Sequence, residues 1–198
     1  MARPVNRAPA ALAPGFQEGV VETSIVFYRN MNFGHPGSPT RDSLLSILKD
    51  AGAEQVESVQ TNGTVLLKAM SPERVIGLAA PVLLSKFGYP DVAVIRSLSA
   101  VQSFLDRCQI EGITDPTVYR LVLTFFGGAV MDVTLPWTNQ KGDVDVLAVE
   151  GGMAFCIIRK PRASAGNATV EMERLSRSPA TTRSISTLRR CIGLASSF

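Results

Sequence analysis

VESVQTNGTVLLK, residues 56–68, decides the fold: two strand-like runs, Val56 to Gln60 and Thr64 to Lys68, flank Thr61-Asn62-Gly63. Asn-Gly is favoured in two-residue hairpin loops because both central positions need positive φ. The stretch therefore predicts an antiparallel hairpin, and the residues on either side decide what it belongs to. Upstream, Ser38 or Thr40 can cap a helix with Pro39 in its first turn and Asp42 near its positive end. Leu44, Leu45, Ile47, Leu48 and Ala51 then recur at helical spacing until Gly52 stops them. Downstream, Ser71-Pro72-Glu73 repeats the start signal before Val75, Ile76, Leu78, Ala79, Val82 and Leu83. Pro81 removes a donor inside that pattern and predicts a kink or a split, and Gly88 ends the helix.

One strand run lies beyond each helix. Ser24 to Tyr28, within the run Thr23 to Asn30, is β-branched and apolar through Ile25, Val26 and Phe27, and Asp91 to Arg96 carries Val92, Val94 and Ile95. Ser97 or Ser99 can then cap a short helix through Val101, Phe104 and Leu105. The order is βαββαβ. Right-handed crossovers put both helices on one face of a four-stranded antiparallel sheet, so the expected class is α+β, a ferredoxin-like two-layer sandwich in the N-terminal half. The opposite face of that sheet must meet solvent, a partner or the rest of the chain.

The second half reads as a looser βαββα unit with the same layering. Val118 to Phe126 is a strand run broken by Gly127-Gly128; Ala129 to Leu135 reads as a stunted helix, and Pro136 to Gly142 as a polar loop around the single tryptophan, Trp137. Asp143 to Val149 and Met153 to Arg159 form a hairpin across Gly151-Gly152. A linker at Pro161 to Asn167 leads to a helix over Val170 to Arg177, a break at Pro179 and a last helix from Ile185 through Leu188, Ile192 and Leu194. Gly112, Asp115 and Pro116 mark a boundary. The expected division is a flexible tail at 1–22, a ferredoxin-like domain at 23–110 and a second α+β domain with basic C-terminal helices at 111–198.

With 198 residues, 45% of them apolar, and a mean hydropathy of +0.17, the chain can fill a core without staples. Cys108, Cys156 and Cys191 are odd in number and form no CxxC pair, which argues against a disulfide framework and a zinc knuckle, so a reducing cytoplasm is the expected location. Residues 1–22 hold only a short Ala/Leu stretch, too weak for a signal-peptide core and too short for a membrane span. The net charge of +3 is uneven: from Arg159 onward eight Arg and Lys face two Glu, while the preceding residues carry twelve against fifteen acids. Glu171 and Glu173 interrupt the basic end as they would on a solvated helix.

Four short segments carry a family resemblance over most of residues 23–195. Arg29-Asn30-Met31-Asn32-Phe33-Gly34 resembles R-G-I-N-V-G, Gln60-Thr61-Asn62-Gly63-Thr64-Val65 resembles Q-S-G-N-V-V, Val94-Ile95-Arg96-Ser97 fits V-x-R-S, and Ala180-Thr181-Thr182-Arg183 resembles the start of A-T-T-R-N-W. These are segments of the bacterial domain-of-unknown-function 1697 family. The resemblance implies an α+β protein with a ferredoxin-like half and implies no established activity. The chain departs from it at Asn30, at the inverted Asn62-Gly63 and at Ser184-Ile185.

Arg29, Asn32, His35, Asn62 and Arg183 are the candidate ligand-binding residues. His35, the only histidine, sits in a Gly-Pro-rich loop leading to a helix start, where backbone donors and Arg29 can receive an anion; an exposed loop histidine is the plainer reading. A structural bond to backbone carbonyls is likewise the plainer reading of Arg183. No catalytic residue, metal ligand or cofactor is expected: GxSxG, GxGxxG and Walker patterns are absent, and one histidine supports no triad. The expected function is a noncatalytic cytoplasmic module binding a small anionic ligand or a protein partner. The alternatives are an enzyme using His35 or the Asp143/Asp145 pair, and a single-stranded RNA module stacking bases on a sheet. For the latter the RNP1 pattern is missing, and Phe125 and Phe126 lie in a continuous apolar run.

Overall fold

A computed structural model describes residues 21–127, 133–161 and 163–198. The expected tail at 1–22 lies outside them except for its last two residues, and so do residues 129–132 of the expected stunted helix; 133–135 are irregular.

The first sheet contains β1 (Glu22–Tyr28), β2 (Gln55–Gln60), β3 (Thr64–Ala69) and β4 (Ala93–Ser97), all pairs antiparallel, in the order β2-β3-β1-β4. With α1 (Arg41–Asp50) and α2 (Pro72–Phe87) in the connections, this is the ferredoxin-like arrangement. Thr40 caps α1, its Oγ1 accepting from the Ser43 N–H at 3.2 Å. Leu44 and Leu48 of α1 and Val75, Ala79 and Leu83 of α2 are buried against Val26, Tyr28, Val65 and Leu67 of the sheet. Fully burying one such side chain contributes about 1.5–3 kcal/mol.

Two local expectations change. The helix containing Pro81 is not split: Pro81 and Gly77, whose carbonyl lacks a helical donor, are both exposed, which leaves that acceptor open to solvent. The β2–β3 turn has three residues, with Gln60 opposite Thr64. Only Gly63 among them has positive φ, +70°, the arrangement of a three-residue loop ending in a left-handed residue. A Cβ on Gly63 would come 2.8 Å from the Cβ atoms of both Tyr28 and Met31. The two-residue rule applies instead to Gly151-Gly152, where both φ angles are positive.

The second sheet holds β5 (Val118–Phe126), β6 (Trp137–Thr138), β7 (Val144–Glu150), β8 (Met153–Arg159) and β9 (Ala180–Ser184) in the order β6-β7-β8-β5-β9. Without β6, this order repeats the first sheet strand for strand. Trp137, expected in a loop, pairs with Val146 and lies under the Arg174 guanidinium, 5.4 Å from its ring centroid. Strand β9, where the sequence predicts only a break at Pro179 before the last helix, pairs along β5. Its Thr182 hydroxyl bonds Thr124 at 2.8 Å and Thr169 at 2.7 Å, so hydroxyl pairs stand where apolar contacts would have announced a strand. Helices α3 (Leu98–Arg107), α4 (Ala168–Ser176) and α5 (Ile185–Ala195) complete the chain, with a short 3-10 turn at Ile110–Gly112.

The sheet face left open by α1 and α2 meets the rest of the chain. Ile25, Phe27 and Leu66 share one buried cluster with Leu123, Phe125 and Phe155 of the second sheet, and α3 and α5 contribute Val101, Phe104, Ile185 and Leu188 to it. Helix α4 covers the outer face of the second sheet, with Met172 buried against Val122, Val144 and Cys156.

Register makes the repeat specific. Ile25 faces Arg96 and Phe27 faces Val94, while Leu123 faces Arg183 and Phe125 faces Thr181. Each arginine is followed by a serine that caps the next helix: Ser97 Oγ accepts from Ala100 N–H at 3.2 Å and Ser184 Oγ from Thr187 N–H at 3.3 Å. The two halves are thus related by an approximate exchange in which β4–α3 corresponds to β9–α5.

Candidate functional site

Arg29, just past the end of β1, is doubly paired. Its Nε donates to Glu173 Oε1 at 2.9 Å and its Nη1 to Asp91 Oδ2 at 2.7 Å, and the Glu173 bond is the main reason its pKa rises further. Asn30, held at φ +52°, donates to the same Asp91 oxygen. Asn32 and His35 stand in the exposed loop that follows. The Asn32 N–H donates to Ser38 Oγ, and its carbonyl accepts from the His35 N–H at 3.1 Å.

Arg183 is buried and uses all five donors within the protein. Nε donates to Thr64 Oγ1 at 2.7 Å, Nη1 to Thr181 Oγ1 and the Thr182 carbonyl, and Nη2 to the carbonyls of Tyr28 and Asn62 at 2.9 and 2.8 Å. Burial without a carboxylate partner lowers its pKa to about 10. Arg183 and Asn62 therefore meet, whereas Arg29 turns toward Asp91 and Glu173, and Asn32 and His35 face solvent. Of the five residues, Asn62 alone lines the cleft described next.

That cleft, about 460 Å³, lies between the start of α1, the β2–β3 turn and α5. Arg41, the first residue of α1, and Arg190 of α5 stand in its wall, both exposed. Among the described residues neither has a carboxylate within 4 Å, and the cleft is lined by no acid. Arg41 makes one long bond, Nη2 to the Ser58 carbonyl at 3.4 Å. Gln60 Oε1 already accepts from Asn62 Nδ2 and Thr187 Oγ1, at 3.2 and 3.1 Å, which leaves its amide N–H groups without an acceptor among the described residues. Asn62 Oδ1 is likewise occupied by Thr64 Oγ1 at 2.8 Å. What remains to offer a ligand is the Gln60 amide donors, the Ser58 and Thr61 hydroxyls and two positive charges.

The corresponding place in the second half is neutralised. Gln60 precedes the first-sheet turn and Glu150 the second-sheet turn. Glu150 receives Arg107 Nη2 on both carboxylate oxygens, at 2.7 and 2.8 Å. A neutral amide at position 60 leaves the first-half cleft cationic. Sequence reasoning missed Arg41 and Arg190 because 148 residues separate them; the one available signal was the basic C-terminal end, to which Arg190 belongs.

The other candidate chemistries find their groups engaged. Asp145 pairs with Arg159 at 2.9 Å and accepts from Thr138, while Asp143 Oδ1 accepts from Asn139 Nδ2 at 2.7 Å. No cluster of three or more His, Cys, Asp or Glu able to hold a metal occurs among the described residues. Burial pushes the Cys108 thiol up to about 11 and those of Cys156 and Cys191 to about 12, so all three are protonated at neutral pH. Phe125 and Phe126 are buried on opposite faces of β5 and present no ring to a base.

The model of the family described as a protein of unknown function, DUF1697, matches residues 21–155. The chain belongs to that family. The DUF1697 match takes in the β1–α1 loop, the β2–β3 turn and Arg41, and ends before Ala180–Arg183 and Arg190. A solved structure, a conserved bacterial protein from Streptococcus pneumoniae, superimposes with a TM-score of 0.60 at 14% identity, over 88% of this chain and 98% of that one. At that identity the likeness shows the fold, and it extends through both halves. No curated protein matches the sequence. No helix among the described residues is long and apolar enough to cross a membrane.

Proposed function

We propose that this DUF1697 protein is a noncatalytic cytoplasmic module that binds a small anionic ligand in the Arg41–Arg190 cleft. The observation that carries the reading is the pair of guanidinium groups, unneutralised among the described residues, in a concavity lined by no acid and whose Gln60 and Asn62 side-chain oxygens are already occupied. Two arginines over one cleft sum to a positive field that favours a phosphate or carboxylate, and each can chelate it through two N–H groups. The volume falls within the ordinary range for small-molecule sites, roughly 300–1,000 Å³. The three cysteines, all free thiols, support a reducing compartment.

A thermal-shift and calorimetry panel of inorganic phosphate, pyrophosphate, sugar phosphates and dicarboxylates tests the reading. Stabilisation by at least one of them, lost in both Arg41→Ala and Arg190→Ala, is expected. A flat panel at millimolar ligand would remove the proposal.

A further inference from the structure

We infer that the anion taken by this cleft is the phosphate of a nucleoside monophosphate, with Phe33 as the platform for its base. The inference rests on the proposed anion site and adds the part of the ligand that carries no charge. Phe33 lines the same cleft as Arg41 and Arg190. Its side chain is half-buried, packed against the α1/α2 core. Its backbone is pinned to the turn by the N–H bond to the Thr61 carbonyl at 2.9 Å. An aromatic ring fixed in this way, with part of its surface left to a cavity, is a stacking surface whose ordering cost is met by the fold.

Charge points to a phosphomonoester in particular. Such a group carries between one and a half and two negative charges near neutral pH and three acceptor oxygens, which matches two guanidinium forks better than a single carboxylate does. The unengaged Gln60 amide N–H groups and the Thr61 hydroxyl add donors in the same cleft, suited to the acceptor-rich edge of a base or to ribose oxygens. Arginines for phosphate, a ring for stacking and an amide for the polar edge are the three kinds of contact a mononucleotide needs.

The experiment compares inorganic phosphate, ribose 5-phosphate and the four common nucleoside monophosphates by calorimetry on the full chain and on Phe33→Ala and Phe33→Tyr. At least one nucleotide should bind roughly tenfold or more tighter than ribose 5-phosphate, the margin expected from stacking one base. Phe33→Ala should erase that margin, and Phe33→Tyr should keep it. Equal affinity for all phosphate compounds, or a nucleotide preference untouched in Phe33→Ala, would overturn the inference while leaving the anion site standing. Absence of any phosphate binding would overturn both.

Discussion

Phe27 and Phe125 stack at the centre of the molecule, ring centroids 3.9 Å apart and planes 16° from parallel. They occupy corresponding positions of β1 and β5, so the contact lies where the exchange of halves maps one ring onto the other. Both are fully buried. Phe125→Ala should lower unfolding free energy by about 3–5 kcal/mol. Denaturant titration followed by both near- and far-UV circular dichroism checks this, and a loss below 1 kcal/mol would mean the sheets do not depend on the stack.

Arg183 and its counterpart Arg96 each reach across to the other half. Arg183 holds Tyr28 and Asn62 carbonyls, while Arg96 Nη2 holds those of Phe126 and Gly152 at 2.6 and 3.0 Å. Lysine offers three donors from a single point and cannot serve five fixed acceptors. Arg183→Lys should therefore cost about 2 kcal/mol or more, from acceptors left buried and unpaired. A urea midpoint unchanged from the parent would contradict it.

Tyr28 is 2% exposed and its hydroxyl has no hydrogen-bond partner among the described residues. Removing an unpartnered buried hydroxyl relieves desolvation, so Tyr28→Phe should be neutral or stabilising by about 1 kcal/mol at pH 7. Burial raises the phenol's pKa above 10, its ordinary value. The folded state therefore keeps the proton more tightly than the unfolded chain does, and the associated stability is present below pH 10 and is lost as pH rises beyond it. Between pH 9 and 11 the parent should lose stability faster than Tyr28→Phe; parallel curves would refute the assignment.

Gly152 and Gly193 predict opposite outcomes for the same substitution. At Gly152, φ is +73° and a Cβ would lie 2.1 Å from Arg96 Nη2 and 2.6 Å from the Phe126 carbonyl oxygen. The first clash strikes the tether itself. Gly152→Ala should destabilise by at least 2 kcal/mol. Gly193 is exposed in α5 with nothing within 4 Å of its Cβ direction, so Gly193→Ala should stabilise by about 0.5–1 kcal/mol. Paired melting curves test both.

Gln60→Glu places in the first half the carboxylate that the second half has at Glu150. The added charge should attract Arg190 or Arg41 and weaken anion binding by roughly tenfold or more, with thermal stability little changed. Unaltered ligand affinity in this variant would argue that position 60 does not govern the charge of the cleft.

Most of the fold was legible because its segments announce themselves locally. The strand at 118–126, the Thr40 cap and the glycine turns follow from periodicity and backbone conformation, which a few neighbouring residues determine. What escaped was settled by distant partners. Strand β9 is polar, and its Thr181, Thr182 and Arg183 are ordered by hydroxyls and carbonyls from β5 and the first sheet. The binding candidates show the same limit. Arg29 and Arg183 stood out by motif, yet their donors are taken by Glu173, Asp91 and main-chain carbonyls. Arg41 and Arg190 drew no attention because an arginine in a helix is ordinary until its surroundings are known.

The crossed arginine tethers have a consequence for dissection of the molecule. A chain severed between Gly112 and Pro116 would yield one fragment whose Arg96 has lost the Phe126 and Gly152 carbonyls and another whose Arg183 has lost most of its acceptors, each with a bare phenyl group toward water. Neither fragment should survive alone in soluble form. Mixed at equimolar ratio they should reassemble, making residues 112–116 the natural place to build a split reporter from this protein.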